Sequence, residues 1–356
     1  MNPPRLRQLY PRLTSFASLH AAAHQARLGK RYRPAVLAFH ANLEEELLRL
    51  QEELRSFSYR PGPYRQFRIR DPKPRLISAA PFRDRVVHHA LCAAIVPPLE
   101  RAFHPGSHAN RRGYGTHRAL RRFTAAAARH RWVLQADIRL YFPSIDLTIL
   151  RAQLAQRIAC PGTLWLLDQI LANGATTGPA IDGFPGDTLL TPLERPRGLP
   201  IGNLTSQFLA NLHLNGLDHS LSNLGGIRAY LRYVDDLALF ADHPEALQHA
   251  RTRMEDELRT LRLRIHPIKT QIRRCSDGAS FVGFVVLPGL LRVRNHNLRR
   301  GQRRLRLQTA AVKAGVLPAE AARASLLSWN AHLAHGHTWR LRRRLFAGLA
   351  YAADLL

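Results

Sequence analysis

Cysteine is nearly missing: Cys92, Cys160 and Cys275 are the only three in 356 residues, and their spacing offers neither a disulfide framework nor a Cys-x-x-Cys metal pair. A reducing, cytoplasmic setting is the expectation. Long apolar runs are lacking too, since no stretch approaches the roughly 18 residues that a membrane span needs. Arg5, Arg7 and Arg12 stand near the start with no continuous apolar segment behind them, which predicts no signal peptide. Acidic residues are sparse, 25 against 53 basic ones, for a formal charge of +28. Among the basic residues lysine is rare, with only Lys30, Lys73, Lys269 and Lys313. GC-rich codons produce such a bias, and arginine also suits phosphate forks and base stacking.

What is present is enough apolar matter for a core, 46% of residues, so the charge belongs to a folded protein and not to a disordered basic tail. The length fits one large domain or two to three lobes. So large a positive excess repels itself unless a polyanion is near. Nucleic acid is the first partner to expect and an anionic membrane surface the second.

Along the chain, Leu43, Leu47, Leu50 and Leu54 recur three or four apart and predict an amphipathic helix over 35–56, stopped by Pro61, Gly62 and Pro63. Residues 64–78 alternate and break at Asp71-Pro72, a basic hairpin. A helix is expected over 82–101 as far as Pro97, then a glycine turn feeding a helix from Thr116, a strand over 132–138 and a helix near 147–159. Residues 173–198 are rich in Gly, Pro, Thr and Asp and read as a long surface loop. Beyond it come a helix over 205–221, strands over 228–233 and 237–241, a helix over 244–262, an apolar strand over 281–287 and, from Arg292, Arg-rich helices.

The chemistry concentrates in Tyr233-Val234-Asp235-Asp236, between those two short strands. Adjacent carboxylates at a hydrophobic hairpin tip repel and partly desolvate each other, and a bound divalent cation removes that cost. Paired acids in turns are also common without any ligand. Asp137 strengthens the ionic reading, because it too ends an apolar strand, 98 residues before Asp235. Three carboxylates on neighbouring strands can hold two Mg²⁺ ions, the arrangement for in-line phosphoryl transfer in nucleotide polymerisation. Phe142 is either a ring that lies under an incoming sugar and excludes a 2′-hydroxyl or a plain core aromatic.

Asp137 with Phe142, then Pro-Ile-Gly-Asn-Leu-Thr-Ser-Gln at 200–207, then Tyr-Val-Asp-Asp, Lys269 and Phe-Val-Gly-Phe at 281–284, stand in the order seen in reverse transcriptases, over roughly residues 30–340. The resemblance implies an α+β right-hand polymerase. It would have an N-terminal helical extension at 1–60, interleaved fingers and palm at 61–290, and a helical basic thumb at 291–356, the palm being an antiparallel sheet that carries the Tyr-Val-Asp-Asp turn. It implies RNA-directed DNA synthesis with dNTPs, a template RNA, an RNA/cDNA duplex and two Mg²⁺ ions. Asp137, Asp235 and Asp236 are similar to the catalytic, metal-binding triad, with the Ile138 carbonyl as a further ligand. Phe142 resembles the steric gate, and Lys269 the lysine near the triphosphate that acts as a general acid. Arg75, with Lys73 as second choice, is similar to the fingers residues that clamp the triphosphate. Ile201, Gly202 and Gln207 complete the nucleotide contacts. Tyr233, Phe281 and Gly283 are placed at the primer, and Arg111, Arg112 and Gly113 in a template-side loop that also reads as a solvated basic turn. Arg303 and Arg304 belong to thumb helices whose arginines would contact duplex phosphates.

Many bacterial reverse transcriptases, group II intron and retron enzymes included, carry Pro-Gln-Gly-x-x-x-Ser-Pro here. This chain's Ile-Gly-x-x-x-Ser-Gln form resembles the enzymes of diversity-generating retroelements. That subfamily copies RNA with errors at template adenines and works with a small, basic, helical, pentameric accessory protein. Ile201 in place of glutamine removes a polar contact, which weakens discrimination by about 1–3 kcal/mol. The acidic set Glu44, Glu45, Glu46, Glu52 and Glu53 is either a solvated helix face or the contact for that accessory protein. A retron-type or phage-defence reverse transcriptase, or a non-catalytic RNA-binding scaffold, would share most of these motifs. His332-x-x-His335-x-His337, with no cysteine or carboxylate close by, is not expected to bind zinc.

Overall fold

Apolar residues at helical spacing make the first described segment helical: α1 (Leu9–Leu13), α2 (Phe16–Arg27), α3 (Pro34–Ala41) and α4 (Leu43–Arg55). The computed structural model describes residues 5–70, 74–176 and 182–349. Ser15 caps α2, its side chain accepting from the Ser18 amide at 3.3 Å. The single helix expected over 35–56 is two, because Asn42 leaves helical geometry at φ −121° and ψ 42°. Asparagine competes for its own backbone and tolerates such breaks. β1 (Arg65–Ile69) and β2 (Arg75–Ala79) pair antiparallel as the expected basic hairpin, while its Asp71-Pro72 turn and Lys73 lie outside the described residues.

α5 (Phe82–Glu100) runs through Pro97 and Pro98 instead of stopping there. Buried Val86, Val87, Leu91, Ile95 and Leu99 hold it in register, so the prolines forfeit only bonds of the last turns. Next come α6 (Thr116–Arg129), β3 (Trp132–Asp137), α7 (Tyr141–Ser144), α8 (Leu147–Arg157) and α9 (Pro161–Gly174). The described part of the long loop contains the short α10 (Thr191–Glu194). The helix expected over 205–221 breaks at Leu214 into α11 (Leu204–His213) and α12 (Asn215–Ser222). There Asn215 accepts from the His104 amide at 3.0 Å and donates to the Ala102 carbonyl at 3.1 Å, which ties the break to another segment.

β4 (Ala229–Tyr233), β5 (Asp236–Ala241), α13 (Pro244–Thr260), β6 (Gln271–Arg274), β7 (Ala279–Phe281), β8 (Phe284–Leu287) and β9 (Leu290–Val293) follow, then α14 (Asn295–Lys313), α15 (Ala319–Leu333) and α16 (Trp339–Phe346). The strand expected over 281–287 is a hairpin. Val282 and Gly283 both take positive φ, 39° and 94°, the signature of a tight two-residue turn, and Phe281 pairs with Phe284 across it. The architecture is mixed helix and antiparallel sheet, with strand orders β1-β2, β4-β5-β3-β6 and β7-β8-β9.

The chain forms two compact units, each from separated segments: Met1–Asn110, Ile138–Ser220 and Arg253–His266 make the first, and Arg111–Asp137, Leu221–Thr252 and Pro267–Leu356 the second. In the first, α5 is the central helix, with α2 and α11 packed on it. In the second, Phe123, Phe240, Phe281, Phe284, Leu326 and Phe346 share one core, and the Phe123 and Phe281 rings stack at 4.5 Å. Among the described residues no helix is long and apolar enough to cross a membrane.

Candidate active site

β3 and β5 are apolar enough to lie in the middle of a sheet, and their polar ends fall together. Antiparallel register sets Asp137, the last residue of β3, directly opposite Asp236, the first of β5. Tyr233 of β4 faces Asp236 from the other side, leaving Val234 and Asp235 as the two-residue turn. All three aspartates therefore share one end of one sheet within the second unit. Val234 has φ 59°, a costly value for a β-branched residue and one that persists only when neighbours enforce it. Arg232 is one such neighbour. Fully buried on β4, it donates from Nη1 to the Val234 carbonyl at 3.0 Å. Tyr233 is another, its hydroxyl sharing a 2.9 Å hydrogen bond with Thr116 Oγ1 at the start of α6. The charged residue inside an otherwise apolar strand was the sequence signal for Arg232. Thr116 had none.

Directly opposed like charges destabilise a sheet. Lys269 offsets this at one member, donating from Nζ to Asp137 Oδ1 at 2.8 Å. Among the described residues, no three His, Cys, Asp or Glu side chains are gathered tightly enough to hold a metal ion as they stand. The donor set is nevertheless all carboxylate, the kind that Mg²⁺ prefers, and strand register brings two of its members face to face.

The remaining residues of the second unit fall into distinct places. Gly283 lies in the β7–β8 turn, and its carbonyl accepts from Asn297 Nδ2 at 3.1 Å. The Phe281 ring, by contrast, is buried in the core, so only its backbone is presented. Where the loop before α6 meets its first turn, the Arg111 and Arg118 guanidiniums lie 4.1 and 4.0 Å from the Tyr114 ring centre, and Arg118 Nη1 donates to the Gly113 carbonyl. Arg112 is exposed beside them. Arg303 and Arg304 are exposed on α14. His332 and His335 both have pKa values lowered, first by burial and then by neighbouring histidine charge.

In the first unit the strap 198–203 is held at both ends. Leu199 N donates to the Phe142 carbonyl at 2.9 Å, and Ser78 N of β2 donates to the Ile201 carbonyl at 2.9 Å. Phe142 is half-buried, its ring set edge-on to Tyr141. Ile138 is buried and bridged to Ile265. Gly202 has φ 118°, and a Cβ there would sit 2.9 Å from Ile77 Cγ2. Gln207 is one turn into α11, and Arg75 is exposed at the start of β2.

A family model described as "Reverse transcriptase (RNA-dependent DNA polymerase)" matches residues 69–286, more than half of the chain and the whole stretch from the hairpin to β8. The chain belongs to the reverse transcriptase family. It is an RNA-directed DNA polymerase. This reverse transcriptase is 27% identical over 286 residues to Protein YkfC of Escherichia coli, an overlap covering 68% of this chain and 71% of that protein. It is also 29% identical over 142 residues to an uncharacterized 91 kDa protein in a cob intron of Schizosaccharomyces pombe, covering 40% of this chain and 16% of that one. Reverse transcriptases generally use divalent metal ions, typically Mg²⁺.

Proposed function

We propose that this reverse transcriptase copies a template RNA into error-prone, adenine-mutagenised cDNA that diversifies a target gene, as a diversity-generating retroelement enzyme does. The catalytic part rests on one observation: register sets Asp137 opposite Asp236, with Asp235 in the adjoining turn. In this reading the β4-β5-β3-β6 sheet is the palm, β1 and β2 belong to the fingers, and α14, α15 and α16 form the thumb. Asp137, Asp235 and Asp236, with the Ile138 carbonyl, would hold two Mg²⁺ ions, which when bound activate the primer hydroxyl and neutralise departing pyrophosphate. Lys269 leaves Asp137 to protonate that pyrophosphate. Arg75 binds the triphosphate, Phe142 rejects a 2′-hydroxyl, and Gly202 and Gln207 line the nucleotide. Arg111, Arg112 and Gly113 guide the template, Tyr233 and Gly283 the primer, and Arg303 and Arg304 the RNA/cDNA duplex.

The subtype rests on Ile201. Its carbonyl is committed to Ser78, and its side chain offers no hydrogen bond to a nascent pair. An open, shallow depression along α4, lined by Glu44, Glu45 and Glu52 with Arg49 and Leu48 among them, supports docking of a small basic accessory protein. Primer extension on an RNA template tests the whole. Asp235→Ala should abolish dNTP incorporation while RNA binding persists, and Ile201→Gln should lower misincorporation at template adenines. Retained synthesis by Asp235→Ala would overturn the catalytic assignment, and an unchanged error spectrum in Ile201→Gln the subtype. Charge reversal at Glu45, Glu46 and Glu52 should abolish co-purification of the accessory protein.

A further inference from the structure

Asn203 stands immediately before α11, at the position where asparagine ordinarily caps a helix by accepting from the first-turn amides. Here its side chain makes no capping bond. It turns instead to the end of β2, where Nδ2 donates to the Ser78 carbonyl at 3.0 Å and Oδ1 accepts from the amide of Ala80, the residue just after the strand, at 3.3 Å. Together with the bond from Ser78 N to the Ile201 carbonyl at 2.9 Å, these form a three-rung ladder along the free edge of β2. One side-chain amide thus does the work of a peptide group from a neighbouring strand. Asn203, Ser78 and Ala80 are all buried, so water cannot substitute for a lost rung. Gly202 permits the approach, since any larger residue would strike Ile77.

From this geometry we infer that Asn203 is a positioning residue for nucleotide selection. It joins three groups otherwise far apart in the chain. β2 carries Arg75, the strap carries Ile201, and the same strap reaches Phe142 through the bond from Leu199 N. Releasing β2 from the strap frees the triphosphate side and the sugar side to move independently, which loosens substrate fit without altering the aspartates. The inference rests on the proposed nucleotide contacts of Arg75, Ile201 and Phe142.

Single-nucleotide incorporation on an RNA template tests it in Asn203→Ala, which loses both side-chain rungs, and Asn203→Asp, which keeps the acceptor and loses the donor. Asn211→Ala is the control for simple loss of a buried amide, because Asn211 lies on the same helix but donates to the Ala109 carbonyl, away from the strap. Asn203→Ala should raise the dNTP KM by roughly tenfold with kcat within about twofold, and lower dNTP-over-rNTP preference by a similar factor. Asn203→Asp, which sets a buried carboxylate against the Ser78 carbonyl oxygen, should raise KM at least as much, and Asn211→Ala should leave both quantities near wild type. Unchanged KM and sugar preference in folded Asn203→Asp would overturn the inference, as would an equal KM rise in Asn211→Ala. If Asn203→Ala does not fold, the Asn203→Asp comparison decides alone. A wild-type enzyme whose KM and sugar preference are untouched by Phe142→Ala and Arg75→Ala would instead sink the reading on which the inference rests.

Discussion

Replacing Lys269 with methionine keeps the length of the side chain and removes the ammonium from Asp137. Side chains directly opposite across an antiparallel pair are about 5 Å apart, and at an effective dielectric near 20 two unit charges there repel by roughly 3 kcal/mol. Lys269 is 43% exposed and Asp137 16%, so solvent removes most of this. About 1 kcal/mol remains. In EDTA, Lys269→Met should therefore unfold in urea with a stability about 1 kcal/mol below wild type. Added Mg²⁺ should reverse the order of response. No ammonium competes for Asp137 in the variant, so its stability should climb at an approximately fivefold lower Mg²⁺ concentration. Urea midpoints measured across a Mg²⁺ titration report both effects without any catalytic assay. Identical Mg²⁺ dependence in the two proteins would refute the reasoning, because Lys269 and the metal would then not share a carboxylate.

Burial, reinforced by the charges of His89 and Arg85, pushes His88 down to about 4. Unfolding lets it take up a proton near its ordinary value, so stability should be flat above about pH 6.5 and should fall as pH drops toward 4, losing roughly 2 kcal/mol between pH 7.5 and 5; His88→Gln should flatten that slope in urea melts. Gly301→Ala would drive a methyl into the Trp329 ring and should cost about 1–3 kcal/mol, largely recovered by adding Trp329→Leu. Arg303→Ser with Arg304→Ser should weaken RNA/DNA duplex binding and reduce its slope against log salt by about 2, measured by fluorescence anisotropy.

The hairpin, the strand ending in Asp137 and the two strands around Val234-Asp235 were legible because apolar alternation and turn residues act locally. Register was not written locally, but the positions of the acids at strand ends implied it. What escaped depended on distant partners. Asn42 splits one expected helix through its own backbone preference, the chain breaks at Leu214 where Asn215 is tied to residues 102–104, and α5 continues through Pro97 because its buried row outweighs two missing amides. Val282 hid a turn within an apolar run, since valine rarely takes positive φ. Asn203 was legible only as part of the motif at 200–207, and its three-dimensional partners reveal the use of its amide.

The discontinuous make-up of the two units carries a consequence for synthesis on the ribosome. The first unit has its final segment only when residue 266 has emerged, and the second draws on residues from 111 onward. Asp137 must find Asp236 across nearly a hundred intervening residues, a closure that is slow to form and absent from any shorter nascent chain. A product that ends before residue 236 therefore lacks the paired aspartates, and one that ends before α14 also lacks Arg303 and Arg304 and leaves the second unit unfinished.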